Sequence, residues 1–220
     1  MNEPLARTMT GQITARIREK IITGTYAPGS PLLQDSIAAE FGVSKIPVRE
    51  ALVQLRSEGL VDIFAHRGFQ VRAISASEML EVFRLRLVLE PAAVAEGARK
   101  AKAEDRMAAA AALRALNHSL ATGDLKSSGD LNSAFHLALV VQRLQPVTTE
   151  TLGRLHTLAQ RYVRMHLQPA GRVKRAIKEH TALHEAWAAQ DAKEARRLCQ
   201  AHIEETVDEL SDALSPKLQR

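Results

Sequence analysis

His136, His180, His184 and His202 fall in one helical stretch of the chain together with Asn132. Asn132 and His136 are four residues apart and share one face of a helix. Asp191 and Glu194 have the Asp-x-x-Glu spacing of a helix start, which puts a turn at Ala189-Gln190 between two antiparallel helices. His180 precedes that turn by about ten residues and His202 follows it by about twelve, so at about 1.5 Å per residue both stand roughly 15 to 18 Å from it, level with one another. Three imidazoles and an amide oxygen can therefore converge. Such a set suits Zn²⁺, Ni²⁺ or a similar divalent ion, because neutral imidazole is the common ligand and an oxygen completes the shell. His184, one turn beyond His180, can take its place, and unrelated hydrogen bonds for each histidine are the competing reading. His118 and His156 lie on helix faces without companions at ligand spacing and read as ordinary hydrogen-bonding side chains.

A second constellation lies nearer the N-terminus. Ile13, Ile17, Ile21 and Ile22 repeat at helical spacing, which predicts a helix over about 9 to 23, ended by Gly24. Gln34 to Phe41 predicts a short second helix with Ile37, Ala38 and Phe41 inward, stopped by Gly42 as a left-handed cap. Ser44 is placed to cap a third, Lys45 to Glu58, which tolerates Pro47 in its first turn and buries Val48, Ala51, Leu52 and Leu55. Two short helices joined by a Gly-containing turn make a helix-turn-helix. Leu60 to Phe64 and Phe69 to Arg72 flank Ala65-His66-Arg67-Gly68 as a hairpin, which adds a wing. Lys45, Ile46 and Arg49 face away from the buried stripe at the end of the helix that enters a major groove, where Lys or Arg donates to guanine O6 and N7. Ser44 and the first-turn amides can hold a phosphate. His66 and Arg67 can reach the adjacent minor groove or backbone. A helical domain with merely solvated charges is the alternative, and the Arg-Gly at the hairpin tip weakens it.

The remaining elements must position the histidines. Ser75 and Glu78 fit a capping box opening a helix that runs to about Lys100. Further helices are predicted at about 104 to 121, 125 to 143, 148 to 167, 172 to 189 and 192 to 213, with breaks at Gly123, Gln145-Pro146, Pro169-Ala170-Gly171 and Gln190-Asp191. The fold class is therefore mainly α: an N-terminal winged helix-turn-helix over residues 1–75 and a C-terminal antiparallel six-helix bundle over 76–220. Phe135 and Trp187 read as core anchors, Ala108 to Ala112 as close helix packing, and Arg172-Val173-Lys174-Arg175 as a solvated face.

Composition narrows the function classes. With 45% hydrophobic, 25% charged and 4% aromatic residues in 220, the chain is a folded protein of one domain or two small ones. A net charge of +5 suits a nucleic-acid partner without locating a face for it. No apolar run is long enough to span a membrane and Met1 to Gly11 lacks a signal arrangement, so a cytoplasmic protein is expected. The single cysteine, Cys199, excludes an intrachain disulfide and thiolate zinc, and reads as a packed thiol. No His-Glu-x-x-His, Gly-x-Ser-x-Gly or phosphate-cradling Gly-rich loop occurs, which argues against a metal-dependent enzyme.

Gly24-Thr25-Tyr26-Ala27-Pro28-Gly29-Ser30, then Ile37 to Leu52, Glu58-Gly59-Leu60-Val61 and Arg67-Gly68 resemble the winged-helix domain of GntR-family bacterial transcription regulators over residues 10–73. The resemblance implies that Ser44, Lys45, Arg49, His66 and Gly68 touch operator DNA. The family usually has Arg-Thr where this chain has Lys45-Ile46. Lysine keeps the charge but loses the bidentate fork, and Ile46 offers only apolar contact, for instance to a thymine methyl. Phe83 to Ala95, Asn132 to His136, Glu179-His180 with Asp191, and His202-Ile203 look like the FCD effector domain of the FadR subfamily, over residues of about 77 to 210. That likeness implies a divalent metal held by Asn132, His136, His180 and His202, with Asn132 replacing the more usual Asp and removing one negative charge. It also implies a small carboxylate effector, for which Arg86 is the candidate partner because a guanidinium binds a carboxylate bidentately. A surface pair between Arg86 and Glu90 is the alternative, and Arg161 and His166 are weaker candidates for the same pocket. The implied function is a ligand-responsive regulator, commonly a repressor, that binds double-stranded operator DNA as a homodimer. A regulator whose bundle only dimerises, or a metal-dependent enzyme, are the competing readings.

Overall fold

A computed structural model describes residues 8–166 and 171–214. The chain divides after Ser75 into two compact units.

The first unit contains α1 (Met9–Ile22), β1 (Pro31–Leu32), α2 (Gln34–Phe41), α3 (Lys45–Ser57), β2 (Val61–Phe64) and β3 (Gly68–Val71). Its core sets the Ile13, Ile17 and Ile21 stripe of α1 against Val48, Leu52 and Leu55 of α3. Arg18 locks the rim, donating from Nε and Nη2 to both Glu58 oxygens at 2.8 and 2.7 Å. Gly42 at φ 65° ends α2 in the left-handed region, where a Cβ would be strained, so the turn into α3 is written in the sequence. The sheet has the order β1-β3-β2 and is antiparallel, with Val61 opposite Val71 and Leu32 opposite Phe69. The sequence predicts only the hairpin. A strand of two residues that starts with proline is too short to show alternation, which is why β1 escapes a periodicity reading.

The second unit contains α4 (Ala76–Lys100), α5 (Ala103–Thr122), α6 (Leu125–Val140), α7 (Pro146–His166), α8 (Arg172–Ala188) and α9 (Ala192–Leu214). α4 is central, packing on α6, α7, α8 and α9. It continues through Pro91, which forgoes the backbone bond to Leu87. Gly97 lets α6 come close, because a Cβ there would collide with the Leu139 carbonyl. Trp187 Nε1 donates to that same oxygen at 2.9 Å. Phe135 and Trp187 are fully buried, as core anchors should be. α6 stops at Val140 rather than near 143, with Val141 turned left-handed at φ 61°. The alanine run is less enclosed than expected: Ala109 is buried, whereas Ala108 and Ala111 are exposed. Asp191 accepts from the Glu194 amide at 2.9 Å and caps α9, as the Asp-x-x-Glu spacing indicates.

Candidate nucleic-acid face and metal centre

In the first unit Ser44, Lys45, Ile46 and Arg49 are all exposed at the start of α3, opposite buried Val48, Ala51 and Leu52. Ile46 is 71% exposed, an apolar side chain left in water at a helix start. Ser44 is the N-cap residue by position and backbone, but its hydroxyl makes no capping bond, contrary to the expected cap. Lys45 Nζ lies 2.5 Å from Asp35 Oδ1 on α2. Arg49 makes no ion pair among the described residues. His66, Arg67 and Gly68 form the exposed wing tip, with His66 at φ 62° and Gly68 at φ 71°. The Arg67 amide donates to the Phe64 carbonyl at 3.2 Å and closes the turn, with the Arg67 side chain exposed.

In the second unit His136 of α6, His180 of α8 and His202 of α9 offer ligand atoms that all lie within 4.8 Å of one another. The ring centroids of His180 and His202 are 4.7 Å apart, so the level pairing across the α8–α9 turn is real. His180 is the member of this pair; half-buried His184 instead sits beside Trp187. Asn132 lines a cavity of about 30 Å³ that His180 and His202 also line, with Arg86, Arg172, Ser128 and Thr206 as further polar walls. Leu116, Leu120, Val163 and Ile203 supply apolar wall.

The donor set fits a divalent metal on a direct observation. Both nitrogens of buried His180 and both nitrogens of buried His136 make no hydrogen bond among the described residues. Buried polar atoms without partners are costly, and a cation satisfies one of them on each ring, the nitrogen that carries the lone pair. His136 Nδ1 lies 2.7 Å from Glu90 Oε1, and His202 Nδ1 lies 2.8 Å from Glu179 Oε2. For His202 the hydrogen-bonded carboxylate takes the proton-bearing side of the ring and leaves Nε2 as the ligand atom, and Glu90 is the carboxylate within reach of Nδ1 of His136, though not aligned with it as a hydrogen bond. Burial pushes the His136 imidazole down to about 3 against the opposing pull of Glu90. Burial and the neighbouring His202 and His136 push His180 well below its usual value. Burial works to raise the Glu90 carboxyl, but Arg86, His156 and His136 hold it well below the carboxylate range. Neutral rings beside an ionised carboxylate are the state that ligates.

Three expectations need correction. His156 has companions: it is buried, its Nε2 is 3.3 Å from Glu90 Oε2, and Glu90, His136 and His156 form a second group of convergent ligand atoms. Arg86 does pair with Glu90, Nε to Oε2 at 2.9 Å, but inside the bundle rather than on its surface, and it still lines the cavity. Arg172 does not belong to a solvated face. It is buried against the cavity and reaches Glu209 at 2.7 Å. Arg161 is buried but does not line the cavity, and the His166 side chain lies outside the described residues. His118 is exposed, as expected. The missed residues, Glu90 and His156, carried a signal: Glu90 interrupts the apolar stripe of Val82, Phe83 and Val94 at helical spacing, and His156 does the same beside Leu152, Leu155 and Ala159.

Comparison with known proteins gives concordant matches. The family model "Bacterial regulatory proteins, gntR family" matches residues 9–71, and "FCD domain" matches residues 81–205. The chain is 31% identical over 87% of its length to the uncharacterized HTH-type transcriptional regulator BphR of Paraburkholderia xenovorans, covering 81% of that protein. It is 27% identical over 90% of its length to the HTH-type transcriptional repressor GlaR of Escherichia coli, covering 94% of it. The solved structure of E. coli McbR/YncC superimposes with a TM-score of 0.79 at 22% identity, over 93% of this chain and 98% of that one, which shows the same fold. These relatives are transcription regulators rather than enzymes, and no helix among the described residues is long and apolar enough to cross a membrane. A helix-turn-helix unit followed by an FCD bundle, matched along most of both, makes this chain a member of the GntR family of bacterial transcription regulators.

Proposed function

We propose that the protein is a metal-containing, carboxylate-responsive repressor of the FadR subfamily that binds operator DNA as a homodimer in the cytoplasm. The observation that carries the sensor role is the convergence of His136, His180 and His202, with buried nitrogens lacking partners, beside a cavity that Arg86 and Arg172 line. Zn²⁺ or Ni²⁺ suits the imidazole set, with Asn132 giving a neutral oxygen as fourth ligand. When bound, the ion supplies a positive centre for a carboxylate in the cavity. Arg86 presents its guanidinium to the same carboxylate. The repressor assignment is supported by the name of GlaR.

On the DNA side, Lys45 and Arg49 donate to bases or phosphates, Ile46 meets a thymine methyl, Ser44 and the α3 amides hold a phosphate, and His66, Arg67 and Gly68 track the adjacent groove. Two such faces in a dimer require a two-fold symmetric operator. Effector binding changes DNA affinity only through differential affinity for two arrangements of the dimer.

Selection of binding sequences from a random duplex library by the Zn²⁺-loaded full chain tests this reading. A two-fold symmetric sequence is expected, recovered by the wild type and lost in a Lys45→Ala/Arg49→Ala variant. Recovery of the same sequence by that variant, or of no sequence by the wild type, would overturn it.

A further inference from the structure

Arg86 faces two ways. It lines the cavity, and one helical turn on it meets Glu90, with Nε 2.9 Å from Oε2 and Nη2 3.4 Å from Oε1. The same carboxylate sets Oε1 2.7 Å from Nδ1 of His136, within reach though not aligned as a hydrogen bond, and a ligand atom of His136 converges with those of His180 and His202. Arg86, Glu90 and His136 are all buried, so no solvent shares their charge. A single guanidinium thus touches the anion's cavity on one side and, through one carboxylate, a metal-facing imidazole on the other.

A carboxylate at Nδ1 both fixes the tautomer that leaves Nε2 free and makes the imidazole a stronger donor. How strongly it does so depends on how much of its charge Arg86 already takes up. An anion entering the cavity competes for the guanidinium, so Glu90 pulls harder on His136 Nδ1–H. We infer that Arg86 and Glu90 are positioning residues that couple the cavity to the metal: Glu90 holds His136 in its ligating tautomer, and Arg86, shared between Glu90 and a carboxylate ligand, sets how strongly. This inference rests on the metal and carboxylate reading above. Coupling of this kind is reciprocal, so anion and metal tighten one another's binding by the same factor. Arg172 and Glu179 stand in a looser version of the same relation to His202, with 3.8 Å between Arg172 Nη1 and Glu179 Oε1.

Zn²⁺ affinity of the full chain, stripped by a chelator, is measured by competition with a chromophoric chelator, first without carboxylates and then with acetate. His180→Ala tests the metal site itself. Arg86→Met/Glu90→Gln removes both charges together, so no buried charge is left uncompensated. The double variant is expected to keep one Zn²⁺ per chain at roughly 10- to 100-fold lower affinity. Acetate is expected to tighten Zn²⁺ binding in the wild type and not in the double variant. In parallel, ¹⁵N chemical shifts of the Zn²⁺-loaded wild type should show His136 protonated at Nδ1 and ligated through Nε2, a readout that needs no variant to fold. Wild-type Zn²⁺ affinity and acetate response in the double variant, or ligation of His136 through Nδ1, would overturn the relay alone. A wild type that binds Zn²⁺ no better than His180→Ala would overturn the metal reading and the relay with it.

Discussion

Lys45 Nζ on α3 lies 2.5 Å from Asp35 Oδ1 on α2, so the first-turn cation of α3 is already paired across the turn of the helix-turn-helix. Both side chains are exposed, so a DNA phosphate at the proposed face would replace Asp35 as partner of Lys45 at little cost. Asp35→Asn is expected to tighten non-specific DNA binding by up to about fivefold, the range an exposed pair commands. Lys45→Ala is expected to weaken binding and to reduce the slope of log K against log salt by about one per protomer. Fluorescence anisotropy on a labelled duplex across a salt series reads both, and an unchanged slope for Lys45→Ala removes it from the phosphate contacts.

Asn132 shares the cavity wall with His180 and His202 but brings no charge. Asn132→Asp adds an anionic oxygen at the same length of side chain and is expected to tighten Zn²⁺ on the order of tenfold, since ligand charge tunes affinity. Chelator competition measures it. Unchanged affinity would take residue 132 out of the donor set.

Gly97 is the point where α4 and α6 touch. A Cβ there meets the Leu139 carbonyl oxygen that Trp187 Nε1 also holds at 2.9 Å, so Gly97→Ala must push α4 and α6 away from each other and disturb a buried hydrogen bond. The expected loss is about 1 to 3 kcal/mol, and more if the Trp187 bond breaks. Urea denaturation followed by tryptophan fluorescence reports it, because Trp187 is the single tryptophan.

Cys199 is fully enclosed, and burial raises its thiol well above the ordinary value of 9.0. Native protein at pH 8 is therefore expected to resist iodoacetamide and to react only after unfolding. Above pH 9 the unfolded chain releases this proton while the native state keeps it, so the Cys199 contribution is present below pH 9 and is lost as pH rises. Cys199→Ala should flatten the alkaline side of the stability profile; an alkaline loss of equal size in the variant would assign it to other groups.

Local sequence determined the elements and which face of α3 is left exposed. Gly42, Pro47 and the Val48-Leu52-Leu55 stripe fix where α2 stops, where α3 starts and which side of it is left to solvent, because those rules act within one or two helical turns. The pairing of His180 with His202 was also legible, since a short turn between two helices of known rise sets their level. Tertiary structure decided the rest. Periodicity says that Arg86, Glu90 and His156 occupy inward faces but not what lies opposite, and a charged pair four residues apart reads equally as a surface pair. Only the packing of α4 amid α6, α7, α8 and α9 encloses Arg86 with Glu90 and carries His136 and His156 to the same carboxylate. Burial removes the water that would otherwise screen these charges, and that desolvation, a property of several helices at once, is what turns a helical pair into part of a buried charge network.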